Sequence, residues 1–209
     1  MKSEFHFMKT LKPIVFIFSL FPLLWLILQA LTAGLGANPV EKILHHMGDW
    51  TLNFLMITLA VSPFQRLTGL TWPLQLRRMI GLFSFFYATL HFITYVAIDQ
   101  FFAWDAIIVD VIKHKRIIVG FASYILLVLL AITSTNRMVQ RMGFKQWQAM
   151  HRLVYAAAIG GVIHFLWLVK IDIRRPLIYA GILVLLLGFR VVARLKRDRN
   201  SKEINRVKT

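Results

Sequence analysis

Three of the seven histidines in this 209-residue chain stand where an ionisable side chain is costly. His91 and His164 fall inside apolar runs long enough to cross a bilayer, and His151 sits at the edge of the second run, between Met150 and Arg152. An imidazole at membrane depth is rare and points to function by default. His91 lies 13 residues beyond Arg78, and His164 lies 12 beyond Arg152. At about 1.5 Å per residue both stand roughly 18–20 Å from the basic boundary. They are level with each other. Two imidazoles at one depth on two helices of a bundle can ligate a single iron from both faces of a porphyrin.

The flanking residues suit that chemistry. Around His91 lie Tyr87, Ala88, Thr94 and Tyr95, with Gly81 and Ser84 further inward, and around His164 lie Gly160 and Gly161, with Ala156 and Ala157 behind. Small residues let a flat macrocycle lie against a helix, and hydroxyls can orient ligands. The same small residues also serve plain helix packing in a membrane.

His151 is separated from His164 by about 19–20 Å of helix, a membrane-crossing distance. Its expected partner on the earlier span falls at Arg77 or Arg78. Arginine stays protonated and cannot ligate iron, but it pairs well with haem propionates, a flavin phosphate or an anionic lipid. The sequence therefore predicts one complete bis-His site, and an inner anionic-cofactor site made by Arg77, Arg78, Arg152 and His151. The other histidines, His6, His45, His46 and His114, fall in the tail or loops, where solvent exposure is expected.

Composition dictates the elements that hold these residues. The chain is 58% hydrophobic and 16% charged, with mean hydropathy +0.64, far from the balance of a soluble domain. It has no cysteine, which excludes disulfides, iron–sulfur clusters, thiolate zinc sites and thioether haem attachment. Six apolar stretches stand out: 14–31, 50–67, 79–98, 117–133, 153–169 and 177–192. Each approaches the roughly 20 residues needed to span a hydrocarbon core, and in lipid each must be helical. The reading is an all-α membrane protein, a six-transmembrane-helix bundle. Residues 1–12 form an N-terminal tail, 13–193 the membrane domain and 194–209 a basic, frayed tail. Pro13 and Pro176 suit helix starts, whereas Pro22 and Pro63 should kink or end theirs.

A net charge of +16 could suggest nucleic acid, but in a membrane protein Lys and Arg mark the cytoplasmic side. Counted by alternate segments, 18 of the 25 fall on one side and seven on the other. Both termini are thereby placed inside. The first span, preceded by Lys2, Lys9 and Lys12, has too long an apolar run and too poor a cleavage pattern for a signal peptide, and is expected to be retained.

Three functions compete on these residues. An electron conduit uses the level imidazoles as metal ligands. A proton or metal transporter would use them as shuttles, but it lacks a paired carboxylate and an inverted repeat. An intramembrane metallohydrolase lacks both H-E-x-x-H and an acidic residue within the apolar cores.

The stretches GLGANPVEKILHHMGDWTLNFL (34–55), RRMIGLFSFFYATLHFITY (77–95), TSTNRMVQRMGFKQWQAMHRLVY (133–155), IHFLWLVK (163–170) and PLIYAG (176–181) cover nearly the whole chain. In combination the chain resembles the haem-binding membrane subunits of bacterial protein-methionine-sulfoxide reductase systems. These form part of the wider ferric reductase-like transmembrane family, alongside NADPH oxidases and STEAP reductases. The resemblance implies that His91 and His164 are the outer haem b ligands and that His151 is the inner histidine of the fifth helix. The departure is the inner position of the third helix, where oxidases carry a second histidine and this chain has arginine. The flavin and nicotinamide domain of oxidases is also missing. The resemblance thus implies electrons from the quinol pool, with bound FMN, or from a separate flavin reductase. Their destination would be a periplasmic molybdopterin-containing methionine-sulfoxide reductase catalytic subunit, in a heterodimer at the bacterial inner membrane, with no substrate chemistry in this chain. Phe101, Phe102 and Trp104 would be docking residues, or members of an interfacial aromatic belt. An independent ferric or oxygen reductase is the competing reading.

Overall fold

A computed structural model describes residues 2–32, 34–169 and 171–207, and the side chains of these except 2–6, 198 and 200–207. His6 thus lies outside the described side chains. The described chain is helical: α1 Lys2–Leu31, α2 Pro39–Thr68, α3 Trp72–Ile93, a π-helical extension Thr94–Asp99, α4 Trp104–Lys113, α5 Lys115–Ile132, α6 Asn136–Met142, α7 Phe144–Met150, α8 Leu153–Leu168 and α9 Arg174–Val207. Five segments are long and apolar enough to cross a membrane: Phe7–Leu31, Trp72–Asp99, Lys115–Ile132, Phe144–Leu168 and Arg174–Arg197. Their outward faces carry large apolar side chains, such as Phe18 (72% exposed) and Leu185 (74%), which suits contact with lipid and makes this a multi-pass membrane protein.

The second expected span, 50–67, lies within α2, which is 30 residues long but is not among those five. Asn53, Ser62, Pro63, Gln65 and Arg66 dilute its apolar run. Its surroundings account for this: α2 packs on α1, α3, α8 and α9, and Leu55 and Leu59 are buried to 2% and 0% exposure. A helix wrapped in protein needs less apolar surface than one wrapped in lipid. Its start is set locally. Asn38 accepts a hydrogen bond from the Glu41 backbone N–H at 3.3 Å with Pro39 following, and Gly69 closes the helix in the left-handed region at φ 75°, a conformation that favours glycine.

One polar tie replaces a backbone bond that a proline removes, and another joins α1 to α2. Pro63 has no N–H to give the Leu59 carbonyl one turn earlier, and Arg190 Nη2 donates to that oxygen at 2.6 Å. In α1, the Pro22 carbonyl accepts from His46 Nε2 at 2.9 Å. Both prolines lie within continuous helices rather than at their ends. Pro13 likewise lies inside α1, which already runs from Lys2, so the expected helix start at Pro13 is corrected. The frayed tail is corrected as well: α9 runs on to Val207, through a Lys- and Arg-rich stretch free of proline and glycine that sustains a helix.

His45 and His46 belong to α2 rather than a loop, and both are half-buried. His114 caps α4, half-buried, with Nδ1 2.6 Å from Asp110 Oδ1. Solvent exposure is therefore the wrong description for His46, which is tied to α1, whereas the side chains of His45 and His114 keep 38% and 42% exposure.

Candidate functional site

His91 is carried by the last turn of α3, just before the π-helical extension, and His164 by α8. The bundle brings their rings together, with centroids 6.3 Å apart and planes at 84°. Two imidazoles bound on opposite sides of one metal at about 2.0–2.1 Å, with about 1.1 Å from nitrogen to ring centre, place their centroids about 6.2–6.4 Å apart. The observed spacing matches.

The tautomer also suits ligation. His91 Nδ1 donates to the Leu44 carbonyl at 2.9 Å, and His164 Nδ1 donates to the Arg116 carbonyl at 2.7 Å. A carbonyl can only accept, so each Nδ1 carries the proton and each Nε2 keeps its lone pair. Such outer bonds fix ring orientation and raise ligand basicity.

Both rings line one cavity of about 810 Å³, walled by residues of α2, α3 with its extension, α4, α5 and α8. That is the size of a pocket for a large organic ligand. The wall is largely apolar, with Leu52, Leu55, Phe92 and Leu127 among its residues. Among the described residues no group of three or more His, Cys, Asp or Glu is placed to hold a metal ion, so two imidazoles and a macrocycle's own donors fit this site better than an all-protein cage.

Of the small and hydroxyl residues expected around the macrocycle, Ala88, Tyr95, Ala157 and Gly161 line the cavity. Others pack helices instead. Tyr87 is fully buried and donates to the Ser19 carbonyl at 2.8 Å, Ser84 donates to the Thr51 carbonyl at 3.0 Å, Gly81 faces Thr58, and Gly160 faces Ser123. A sequence shows which residues are small but not which neighbour they meet.

Sequence reasoning missed the cover of this cavity. The π-helical extension re-aims Tyr95, whose hydroxyl donates to Asp110 Oδ2 of α4 at 2.9 Å. Helix α4 supplies Trp104, Ile107 and Asp110 to the wall. At ten residues it is too short to register as a span. The turn before it holds Phe101 and Phe102 at φ 46° and 59°, an uncommon conformation for aromatic residues, with 80% and 57% exposure.

The inner residues are only partly gathered. His151 stacks on Trp147 at 3.9 Å, and its Nε2 lies 3.4 Å from the Ser134 hydroxyl. Arg78 donates to the Ser134 carbonyl and, at 2.7 Å, to Asn136 Oδ1. Arg78 and His151 thus converge on one segment. Arg77 turns the other way and donates to Ser62 Oγ of α2 at 3.2 Å, whereas Arg152 is exposed. None of these four residues lines the cavity of His91 and His164.

The profile described as ferric reductase like transmembrane component matches residues 47–162, and so takes in His91 and His151. A protein-methionine-sulfoxide reductase heme-binding subunit MsrQ of Rhodospirillum rubrum is 49% identical over 188 residues, covering 90% of this chain and 90% of its own. The MsrQ of Herminiimonas arsenicoxydans is 48% identical over 194 residues, covering 91% and 89%, and that of Azospira oryzae is 46% identical over 190, covering 90% and 82%. The chain belongs to the ferric reductase-like transmembrane family and, within it, to the MsrQ group.

Proposed function

We propose that this protein is a membrane haem b electron-transfer subunit. It would carry electrons from the quinol pool, or from a cytosolic flavin reductase, across the bacterial inner membrane to a periplasmic molybdenum-cofactor methionine-sulfoxide reductase. The observation that carries the reading is the His91–His164 pair, 6.3 Å apart with both Nδ1 protons tied to carbonyls. These two residues would be the axial ligands. Bound haem would supply a one-electron ferric–ferrous couple. The protein's part is to hold both rings at fixed spacing, to surround the site with apolar side chains that keep water out, and to set its depth in the bilayer.

The positive-inside bias supports both termini, Arg77, Arg78, Arg152 and His151 lying at the cytoplasmic face. There they would receive an anionic cofactor, the phosphate of FMN or the propionates of a second haem. The His91–His164 site then lies toward the periplasm, beneath α4 and the exposed Phe101, Phe102 and Trp104, where the catalytic subunit would dock. Reduction of the sulfoxide would take place on that partner.

The test is spectroscopic. His91→Ala and His164→Ala, each in protein that still inserts, should lose the low-spin bis-His absorption of the outer haem. Retention of the full spectrum by both variants overturns the assignment.

A further inference from the structure

Each candidate ligand is seated in the same way on a neighbouring helix. His91 Nδ1 reaches the carbonyl of Leu44, and four residues on in α2 stands Gly48. His164 Nδ1 reaches the carbonyl of Arg116, and four residues on in α5 stands Gly120. In an α-helix the carbonyl of residue i accepts the N–H of residue i+4, so each of these carbonyls already serves the glycine's own amide. Its second lone pair remains free to accept from a side chain of another helix. A Cβ on Gly120 would lie 2.6 Å from His164 Nδ1 and 2.9 Å from Cε1, closer than non-bonded atoms allow. A Cβ on Gly48 would lie 3.5 Å from both Nδ1 and Cε1 of His91, an ordinary contact.

We propose that Gly120 is a positioning residue for His164, opening a notch through which its imidazole taps the carbonyl one turn earlier. The matching Gly48 leaves room for a methyl group beside His91 and serves as the comparison. The bond to Arg116 holds His164 Nε2 toward the cavity, and a methyl group at position 120 drives the ring off that bond. Packing alone does not explain this, because the nearest atoms to the absent Cβ belong to the candidate ligand. The proposal rests on the bis-His reading above, and its test separates the two.

Full-length wild type, Gly120→Ala, Gly48→Ala and Gly160→Ala are purified in detergent with their haem and compared by absorption and ferric EPR spectroscopy. Gly160→Ala crowds the same α5–α8 contact through Ser123 rather than a histidine. Gly120→Ala is expected to lose most of the outer low-spin signal and to gain a high-spin one, while Gly48→Ala and Gly160→Ala keep the wild-type signal. A wild-type low-spin spectrum surviving in Gly120→Ala overturns the proposal, as does equal loss in all three variants. A wild type with no bis-His spectrum overturns the ligation reading itself. Should Gly120→Ala fail to accumulate, electron–nuclear double resonance of the wild type in deuterated buffer decides. An exchangeable, hydrogen-bonded Nδ1 proton on the His164 ligand supports the notch, and its absence overturns it.

Discussion

The imidazole planes of His91 and His164 stand at 84° to each other, close to perpendicular. The hydrogen bonds to Leu44 and Arg116 come from two different helices, and each fixes its ring separately. The angle is therefore built into the protein and not left to the ligand. In a low-spin ferric haem held by both residues, near-perpendicular imidazole planes would leave the iron dxz and dyz orbitals nearly equal in energy. The expected EPR spectrum is strongly anisotropic, with one dominant g feature, whereas a well-resolved rhombic three-line spectrum would show parallel rings and contradict this geometry.

Arg77 and Arg78 are adjacent in sequence but face different helices, Arg77 toward Ser62 and Arg78 toward Ser134 and Asn136. Replacing both by Gln should lower flavin or haem content with topology retained. Of the single changes, Arg78→Gln should have the larger effect, because Arg78 shares the Ser134 segment with His151. Extracted cofactor per protein measures this, and unchanged content in the double variant reduces both arginines to topology markers.

Arg190 ties α9 to α2 through the Leu59 carbonyl that Pro63 leaves without its usual donor, and it also donates to Tyr155 at 2.5 Å. A buried acceptor left unpaired costs about 1–3 kcal/mol. Arg190→Met should lower thermal stability, and Pro63→Ala, which restores an N–H at position 63, should relieve part of that loss. Thermal melts of the four proteins give the coupling, expected at about 1–2 kcal/mol. Additive effects would show that Arg190 is held for another reason.

The depth match of His91 and His164 was legible because helical rise converts residue number into height, and arginines mark the boundary. The lateral partner of each side chain was not. Gly120 carries no signal of its own, since what makes it matter is a ring arriving from another helix. Arg190 read as one more positive-inside charge, and only the missing N–H of Pro63, seen beside it, gives it a role. His46 read as a loop residue because the apolar run begins after it, although α2 starts at Pro39. The cover formed by the π-helical extension and α4 escaped because a ten-residue helix that lies across a site rather than spanning the bilayer leaves no hydropathy peak.

The central claim is that this chain passes electrons to a partner at the face nearest the His91–His164 site. It is tested with membranes in which the haem has been chemically reduced, mixed with the oxidised methionine-sulfoxide reductase catalytic subunit and a methionine sulfoxide substrate. The haem absorption should return to the oxidised form only when the catalytic subunit is present, and not in His91→Ala or His164→Ala membranes. Reoxidation at the same rate without the catalytic subunit, or none with it, would contradict the claim and identify an independent metal or oxygen reductase instead.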